Sequence, residues 1–285
     1  MSNSGKKQAA RSRMKYSGEL YEAALAGIPN DRTHGLDSCA PRQRQLNAIL
    51  ALGLFNRGDE GAPPKRWTIN ALTWYTIKVS PRWNRLVFIA DAPMNVAQYL
   101  VPSSENFLRV PGMRLKGGVF GSAYVLEHVP TGAQLVVTGR SSGKVTGRLS
   151  TTDLRMLSLD TPLLPEEKRL YAALPAMADD AQTLLAGIAV RMSMADPARR
   201  WATGNWYWDP LERMGHAEVE GYSDPQRRLW GEGDEWEAQW TGYPYAQDVA
   251  FALTDPAIGV RGAKLSTRRR GYEVSLKGSV LKIRR

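Results

Sequence analysis

The chain has 285 residues, of which 43% are hydrophobic, and it carries a formal net charge of +10. This apolar fraction is ordinary for globular proteins and is enough for a large core, so the composition excludes a wholly disordered chain. No apolar run approaches the ~18 residues of a membrane helix, and the first residues lack the apolar core of a signal peptide. These features predict a soluble, cytoplasmic protein with no membrane partner.

The positive charge is concentrated at the two ends of the chain. Residues 1–16 hold five Lys or Arg and no acid, while residues 261–285 hold nine against one Glu, a balance of 9 − 1 = +8. Residues 201–260 are acidic instead, with eleven Asp or Glu against three Arg, a balance of 3 − 11 = −8. Single-sign clusters of basic residues attract polyanions, of which nucleic acid is the commonest in the cytoplasm. Flexible tails that only keep the protein soluble are the alternative.

The start of the chain is predicted to be disordered and then helical. Residues 1–16 contain almost no apolar side chain, which is typical of a disordered arm. A short helix should follow within 18–27, capped by Ser17. The clearest helix begins at Pro41, carries aliphatic residues at helical spacing and ends at Gly58.

From residue 71 the apolar pattern changes to a period of two, which is typical of strands. Residues 71–80 and 84–90 read as two strands separated by a turn at Pro81-Arg82-Trp83. Two further β-rich runs, within 117–139, flank Pro130-Thr131-Gly132, a turn in which glycine permits positive φ. The first half of the chain is therefore expected to form an antiparallel sheet or hairpins.

The second half is predicted to be helical and then rich in loops. Helices should begin near Asp153 and at Pro165, and a third should cover 178–192. Six of the nine tryptophans then lie in 201–240, where Gly and Pro recur as turn signals. A helix over 246–253 and two short strands about Lys277-Gly278 are expected near the end.

This order of elements predicts an α+β fold: antiparallel hairpins first, a helical middle, a loop-rich aromatic region and short C-terminal strands. No internal repeat is evident. The expected organisation is a basic disordered arm over 1–16, a globular body over 17–260 that could divide near 150–160, and a basic strand pair over 261–285.

Sequence patterns for catalysis are weak. In "GRSSGKVT", residues 139–146, Gly139 and Gly143 stand one residue too close for a P-loop, and Val145 replaces the Ser or Thr that would bind magnesium. Three histidines and one cysteine are too few for a zinc site, and Cys39 has no catalytic signature around it. No cofactor is predicted.

The acidic segment is the one candidate for metal-dependent chemistry. If its histidine-containing part is a strand, Glu218 and Glu220 share a face, as a magnesium-binding pair would require. They are weak candidates, since surface strands often carry alternate glutamates without chemistry. The aromatic residues beside them could stack bases, but core packing is the favoured interpretation for most of them.

The sequence therefore favours a non-enzymatic nucleic-acid-binding protein that contacts the backbone through its basic ends, without indicating DNA or RNA. A packaging or coat protein of a virus or mobile element, located in the virion, is one form of this hypothesis. A replication or partition protein and a metal-dependent nuclease are the alternatives. Docking of the acidic segment on another copy's basic end would give a homo-oligomer. The candidate nucleic-acid-binding residues are Lys6, Lys7, Arg11, Arg13, Lys15, Arg261, Lys264, Arg268, Arg269, Arg270, Lys277, Lys282, Arg284 and Arg285.

Overall fold

The computed structural model describes residues 3–31, 33–56, 67–69, 72, 76–103, 109–119, 123–139, 156–203, 228–240 and 244–284. Within these residues the chain forms seven helices and two five-stranded sheets, which confirms the predicted α+β class. The helices are α1 (Asn3–Ser17), α2 (Tyr21–Ala26), α3 (Pro41–Phe55), α4 (Pro93–Leu100), α5 (Pro165–Ala172), α6 (Asp179–Arg191) and α7 (Ala246–Thr254).

The strands make two separate sheets. Their bounds are β1 (Thr76–Arg82), β2 (Arg85–Ala90), β3 (Met113–Val119), β4 (Ala123–His128), β5 (Ala133–Gly139), β6 (Arg228–Glu232), β7 (Glu235–Gln239), β8 (Lys264–Arg268), β9 (Gly271–Leu276) and β10 (Ser279–Arg284). Sheet I has the order β1-β2-β5-β4-β3, and sheet II has the order β6-β7-β10-β9-β8. The predicted hairpins β1–β2 and β4–β5 are confirmed, but each sheet also contains one parallel pair, β2–β5 or β7–β10.

The two sheets have the same topology. In each half of the molecule a helix leads into a β-hairpin, a second helix follows, and a three-stranded meander returns to place its last strand parallel to the second strand of the hairpin. Unit one is α3-β1-β2-α4-β3-β4-β5, and unit two is α6-β6-β7-α7-β8-β9-β10. The chain therefore contains an internal structural repeat, and the prediction of no repeat is wrong.

Equivalent hydrogen bonds support this repeat. The N–H of Ala40, just before α3, donates to the carbonyl of Trp83 at 2.8 Å, and Trp83 is the first residue after β1. The N–H of Ala178, just before α6, donates to the carbonyl of Gly233 at 3.0 Å, and Gly233 is the first residue after β6. Each unit thus fixes the start of its first helix against its own hairpin turn.

The units also exchange equivalent contacts. The N–H of Val79 in β1 donates to Ser193 Oγ, beyond α6, at 2.9 Å, and the N–H of Leu229 in β6 donates to Asn56 Oδ1, beyond α3, at 3.0 Å. Helices α3 and α6 pack along each other, with Arg44 in the first turn of α3 bound to Asp179. The units therefore make reciprocal contacts and share one core.

Small residues allow α6 to sit in the middle of this core. It is buried from Leu184 to Arg191, a stretch that includes Ala186, Gly187 and Ala189. A Cβ atom on Gly187 would stand 2.8 Å from Val260 Cγ2, too close for a real contact. Glycine here is needed for close packing rather than for an unusual backbone angle.

The positions of the helices test several of the sequence predictions. The helices predicted at Pro41, at Pro165, over 178–192 and over 246–253 are present as α3, α5, α6 and α7. The helix start near Asp153 lies outside the described residues. Ser17 ends α1 instead of capping the next helix, since its Oγ donates to the Arg13 carbonyl at 3.0 Å.

The C-terminal segment is part of the body. The predicted strands about Lys277-Gly278 are confirmed as β9 and β10, and β8 precedes them. Strand β10 lies between β7 and β9, and its Leu281 and Ile283 are buried in the core. The segment is thus the centre and edge of sheet II, not a separate arm.

Candidate nucleic-acid interface

Helix α1 replaces the disordered arm predicted over 1–16, and that prediction is wrong. One face of the helix is buried against α2 and β1, with Ala10 packed in a small apolar cluster with Ala24 and Ile28. The helix forms despite its polar composition because this face also carries a buried ion pair, between Arg13 and Glu19.

Arg13 is fully committed to the fold. Its guanidinium donates to both carboxylate oxygens of Glu19, at 2.7 and 2.9 Å, to the carbonyl of His34 at 3.0 Å and to the carbonyl of Pro81 at 3.2 Å. Burial opposes ionisation of Glu19, but the Arg13 charge and hydrogen bonds from Arg13, Ser80 and Ser17 outweigh it and lower the pKa of Glu19. Arg13 is therefore a structural residue, and its assignment as a nucleic-acid contact is wrong.

The outer face of α1 carries an unpaired cationic stripe, defined here as Lys7, Arg11 and Lys15. All three are exposed and are spaced four residues apart, so they line one side of the helix over about 12 Å. Helix α1 has no acidic residue, and no carboxylate of the described residues pairs with the stripe. Lys6 is partly buried on the opposite side.

Four of the nine C-terminal cations, in contrast, are paired. Arg268 binds Glu273 at 2.8 Å across the β8–β9 turn. The other ion pairs are Lys277–Asp180 at 3.1 Å, Lys282–Glu235 at 3.2 Å and Arg284–Glu237 at 2.8 Å. The basic segment predicted from sequence therefore meets the acidic segment within one molecule.

Strand register explains this pairing. On the outer face of sheet II, Lys282 stands opposite Glu273 on one side and Glu237 on the other. Opposite charges on adjacent strands attract, so the face alternates in sign instead of forming one basic surface. Its net field is weak.

Four C-terminal cations stay without an ion pair among the described residues. They are exposed and lie at the start of β8 or at the β8–β9 turn: Arg261, Lys264, Arg269 and Arg270. Arg285 lies outside the described residues.

The structure offers no support for a catalytic centre in the parts that it describes. Glu218 and Glu220 lie outside the described residues, and within them no group of three metal-ligating side chains is found. Burial first, and then Asp37, raise the pKa of Cys39 to about 11, so its thiol is protonated at neutral pH. Cys39 is therefore a poor nucleophile.

A cavity of about 600 Å³ lies between the loop after α2 and the loop after α7. Three acidic side chains line it and all have partners within the protein: Asp31 accepts from Thr33 Oγ1 at 2.7 Å, Asp37 binds Arg191 at 2.6 Å, and Asp255 accepts from the Trp201 indole at 3.1 Å.

The aromatic residues divide into core and surface groups. Trp201, Trp236 and Trp240 are buried, which confirms core packing for these members of the Trp-rich segment. Trp206 and Trp208 lie outside the described residues. Among the tryptophans that the structure describes, the most exposed is Trp83, which the sequence pattern assigned only to a turn.

His128 is a buried structural histidine. Nε2 faces the Pro111 carbonyl at 3.0 Å, and Nδ1 faces Thr131 Oγ1 at 2.8 Å. A carbonyl can only accept, so Nε2 carries the proton and Nδ1 accepts from the hydroxyl. Burial lowers the pKa of His128 to about 4.

This buried ring should make stability depend on pH. The unfolded state takes up a proton near pH 6.5 and the folded state only near 4, so the contribution of the neutral ring is complete above about 6.5 and is lost as the pH falls toward 4. We expect a loss of up to roughly 3 kcal/mol across this window in the wild type. The variant His128→Asn should be less stable at pH 7 but show a flatter decline in urea unfolding between pH 6.5 and 4.5. Equal declines in both proteins would contradict this assignment. His34 is present in both proteins, so its titration contributes equally to the two declines and does not affect the difference between them.

Neither a scan against protein-family models nor searches of curated proteins and solved structures find a match to the chain. Among the helices that the structure describes, none combines the length and the apolar character needed to cross a membrane.

Proposed function

We propose that this protein binds nucleic acid through the phosphate backbone and is not an enzyme. The observation that carries the proposal is the cationic stripe of α1. Like charges four residues apart destabilise a helix by about 0.2–0.5 kcal/mol per pair, so the spacing of Lys7, Arg11 and Lys15 does not stabilise α1. A polyanion that binds the stripe relieves this repulsion and releases its own counter-ions.

The unpaired C-terminal cations support a second contact. Arg269 and Arg270 occupy the β8–β9 turn, and Arg261 and Lys264 stand where the chain enters β8. Contacts of this kind, from side chains at a helix face and at a turn, bind phosphates without selecting a sequence. Binding should therefore be strong at low salt, weak at high salt and similar across sequences.

Removal of the stripe charges tests this proposal. The variant Lys7→Gln, Arg11→Gln, Lys15→Gln should weaken binding of labelled DNA and RNA oligonucleotides about equally, measured by fluorescence anisotropy over a salt series. The salt slope should fall by up to roughly 2 to 3, since each lost phosphate contact contributes about 0.7–0.9.

A matched variant separates local contacts from overall charge. Lys277→Gln, Lys282→Gln, Arg284→Gln lowers the net charge equally, from +10 to 10 − 3 = +7. It removes cations that are held by Asp180, Glu235 and Glu237. We expect this variant to keep most of the salt slope. Equal losses in the two variants, or no nucleic-acid binding by the wild type at low salt, would refute the proposal.

A further inference from the structure

The turn between β1 and β2 presents a tryptophan to solvent. The side chain of Trp83 is 63% exposed. Its backbone is fixed, because its carbonyl accepts the N–H of Ala40 at the start of α3, at 2.8 Å. An exposed indole on a fixed turn is a rigid aromatic platform.

The internal repeat shows that the fold does not need this ring. In unit two the equivalent position is Gly233, and the equivalent hydrogen bond to Ala178 forms without any side chain. The hydrogen bond to the helix start therefore does not require the indole, although Gly233 has a left-handed backbone (φ 58°) that Trp83 does not share. Tryptophan and arginine are enriched among the residues that contribute most to binding at interfaces.

Two unpaired arginines accompany the ring. Arg85 is exposed two residues after Trp83, and Arg42 is exposed in the first turn of α3, two residues after Ala40. A guanidinium nitrogen of Arg42 lies 3.9 Å from the Cβ position of Gly132, which places Arg42 beside the β4–β5 turn. No carboxylate of the described residues forms an ion pair with either arginine.

Unit two carries the opposite charge at the equivalent place. Its first helix begins with Asp179 and Asp180, which bind Arg44 and Lys277. The aromatic and cationic turn is therefore specific to unit one and does not follow from the shared topology.

We propose that Trp83 stacks on an unpaired base of single-stranded nucleic acid, while Arg42 and Arg85 bind the neighbouring phosphates. This inference rests on the proposed nucleic-acid-binding function and specifies its substrate class. An exposed aromatic face accepts any base, whereas a base inside a duplex is covered on both faces by its neighbours. The protein should therefore prefer single strands without preferring a sequence.

The test compares Trp83→Ala with the wild type on a single strand and on its duplex. We expect single-strand affinity to fall on the order of 10- to 100-fold, the effect of losing one stacked base, and duplex affinity to change little. The salt slope should stay unchanged, since no phosphate contact is removed. Arg42→Gln with Arg85→Gln should instead lower the single-strand slope by up to about 1.4.

Two controls make the result specific. Trp83→Phe should retain most of the affinity, because it keeps an aromatic face. Tyr245→Ala removes another exposed ring, 54% exposed at the start of α7, and should leave the affinity unchanged. Thermal unfolding should be similar for all these variants, because the rings lie at the surface.

The outcomes distinguish this inference from the proposed function. A wild type that binds no nucleic acid refutes both. Single- and double-strand affinities that are equal, or a Trp83→Ala variant that binds single strands normally, refute only the stacking role. If Trp83→Ala converts a dimer into a monomer without changing affinity, the ring belongs to an interface between copies and the inference is wrong.

Discussion

Replacement of Arg13 by Ala is expected to lower the free energy of unfolding by about 3–5 kcal/mol. The side chains of Arg13 and Glu19 have no exposed surface, so the variant would leave the buried Glu19 carboxylate with only the more distant Arg82, at 3.8 Å, as a cationic partner among the described residues. It would also remove the donors to the carbonyls of His34 and Pro81, and with them a link between α1, the following loop and β1. Deletion of residues 1–16 should cause a loss at least as large.

Urea unfolding provides the measurement, and the same helix provides the control. Arg11→Ala removes an equal charge from the exposed face and should change stability by less than about 0.5 kcal/mol. Combining Arg13→Met with Glu19→Leu should recover part of the loss, because apolar pairs can replace buried ion pairs. An unchanged unfolding midpoint after deletion of 1–16 would instead support the disordered arm that the composition predicts.

The composition of residues 1–16 predicts disorder where the chain forms α1, and the physical reason can be identified. Average hydrophobicity predicts disorder when a segment has too little apolar surface to bury. Helix α1 buries a charge instead, and the fit of the Arg13 guanidinium to Glu19, His34 and Pro81 depends on segments distant in sequence. No local pattern contains that information.

The elements that local signals define were predictable. Proline at the first helical position gave the start of α3, and the Lys277-Gly278 pair gave the β9–β10 hairpin. The parallel pairs β2–β5 and β7–β10 were not predictable, because they join strands separated by a helix and two further strands. Pairing between strands so far apart in the chain produces no recognisable pattern in the local sequence.

The sequence does not reveal the repeat, because the two units resemble each other in the core and differ at the surface. Helices α3 and α6 share Leu, Ala and aliphatic positions in the core but differ at their starts, where Pro41 and Arg42 in one correspond to Asp179 and Asp180 in the other. Composition could not show that Lys282 and Arg284 pair with the acidic segment, since only the register of sheet II brings these residues together.

A second buried ion pair, Arg114–Glu167, should be as important to stability as the first. Glu167 accepts from the Arg114 guanidinium at 2.6 and 2.8 Å, from the Gly112 N–H at 2.7 Å and from the Leu164 N–H, at the start of α5, at 3.0 Å. Burial opposes ionisation of Glu167, but hydrogen bonds from Arg114, Leu164 and Gly112 outweigh it and lower its pKa. The Glu167 carboxylate therefore links the start of α5 to the edge strand β3 through hydrogen bonds.

Glu167→Gln is expected to destabilise the protein by about 3 kcal/mol or more, although the two side chains have almost the same shape. The glutamine amide has one acceptor oxygen, so its NH₂ group would have to face a donor of Arg114 or Gly112. Its neighbour is a close control: Glu166 binds Arg169 at the surface, and Glu166→Gln should cost less than about 0.5 kcal/mol.

Because the pKa of Glu167 lies below its ordinary value, the contribution of Glu167 to stability is present above about pH 4.5 and is lost as the pH falls through the lowered value. Urea unfolding at pH 7 should thus separate the two variants widely, and the gap between Glu167→Gln and wild type should narrow in acid. Equal stabilities at pH 7 would show that the Arg114–Glu167 pair does not hold α5 in place.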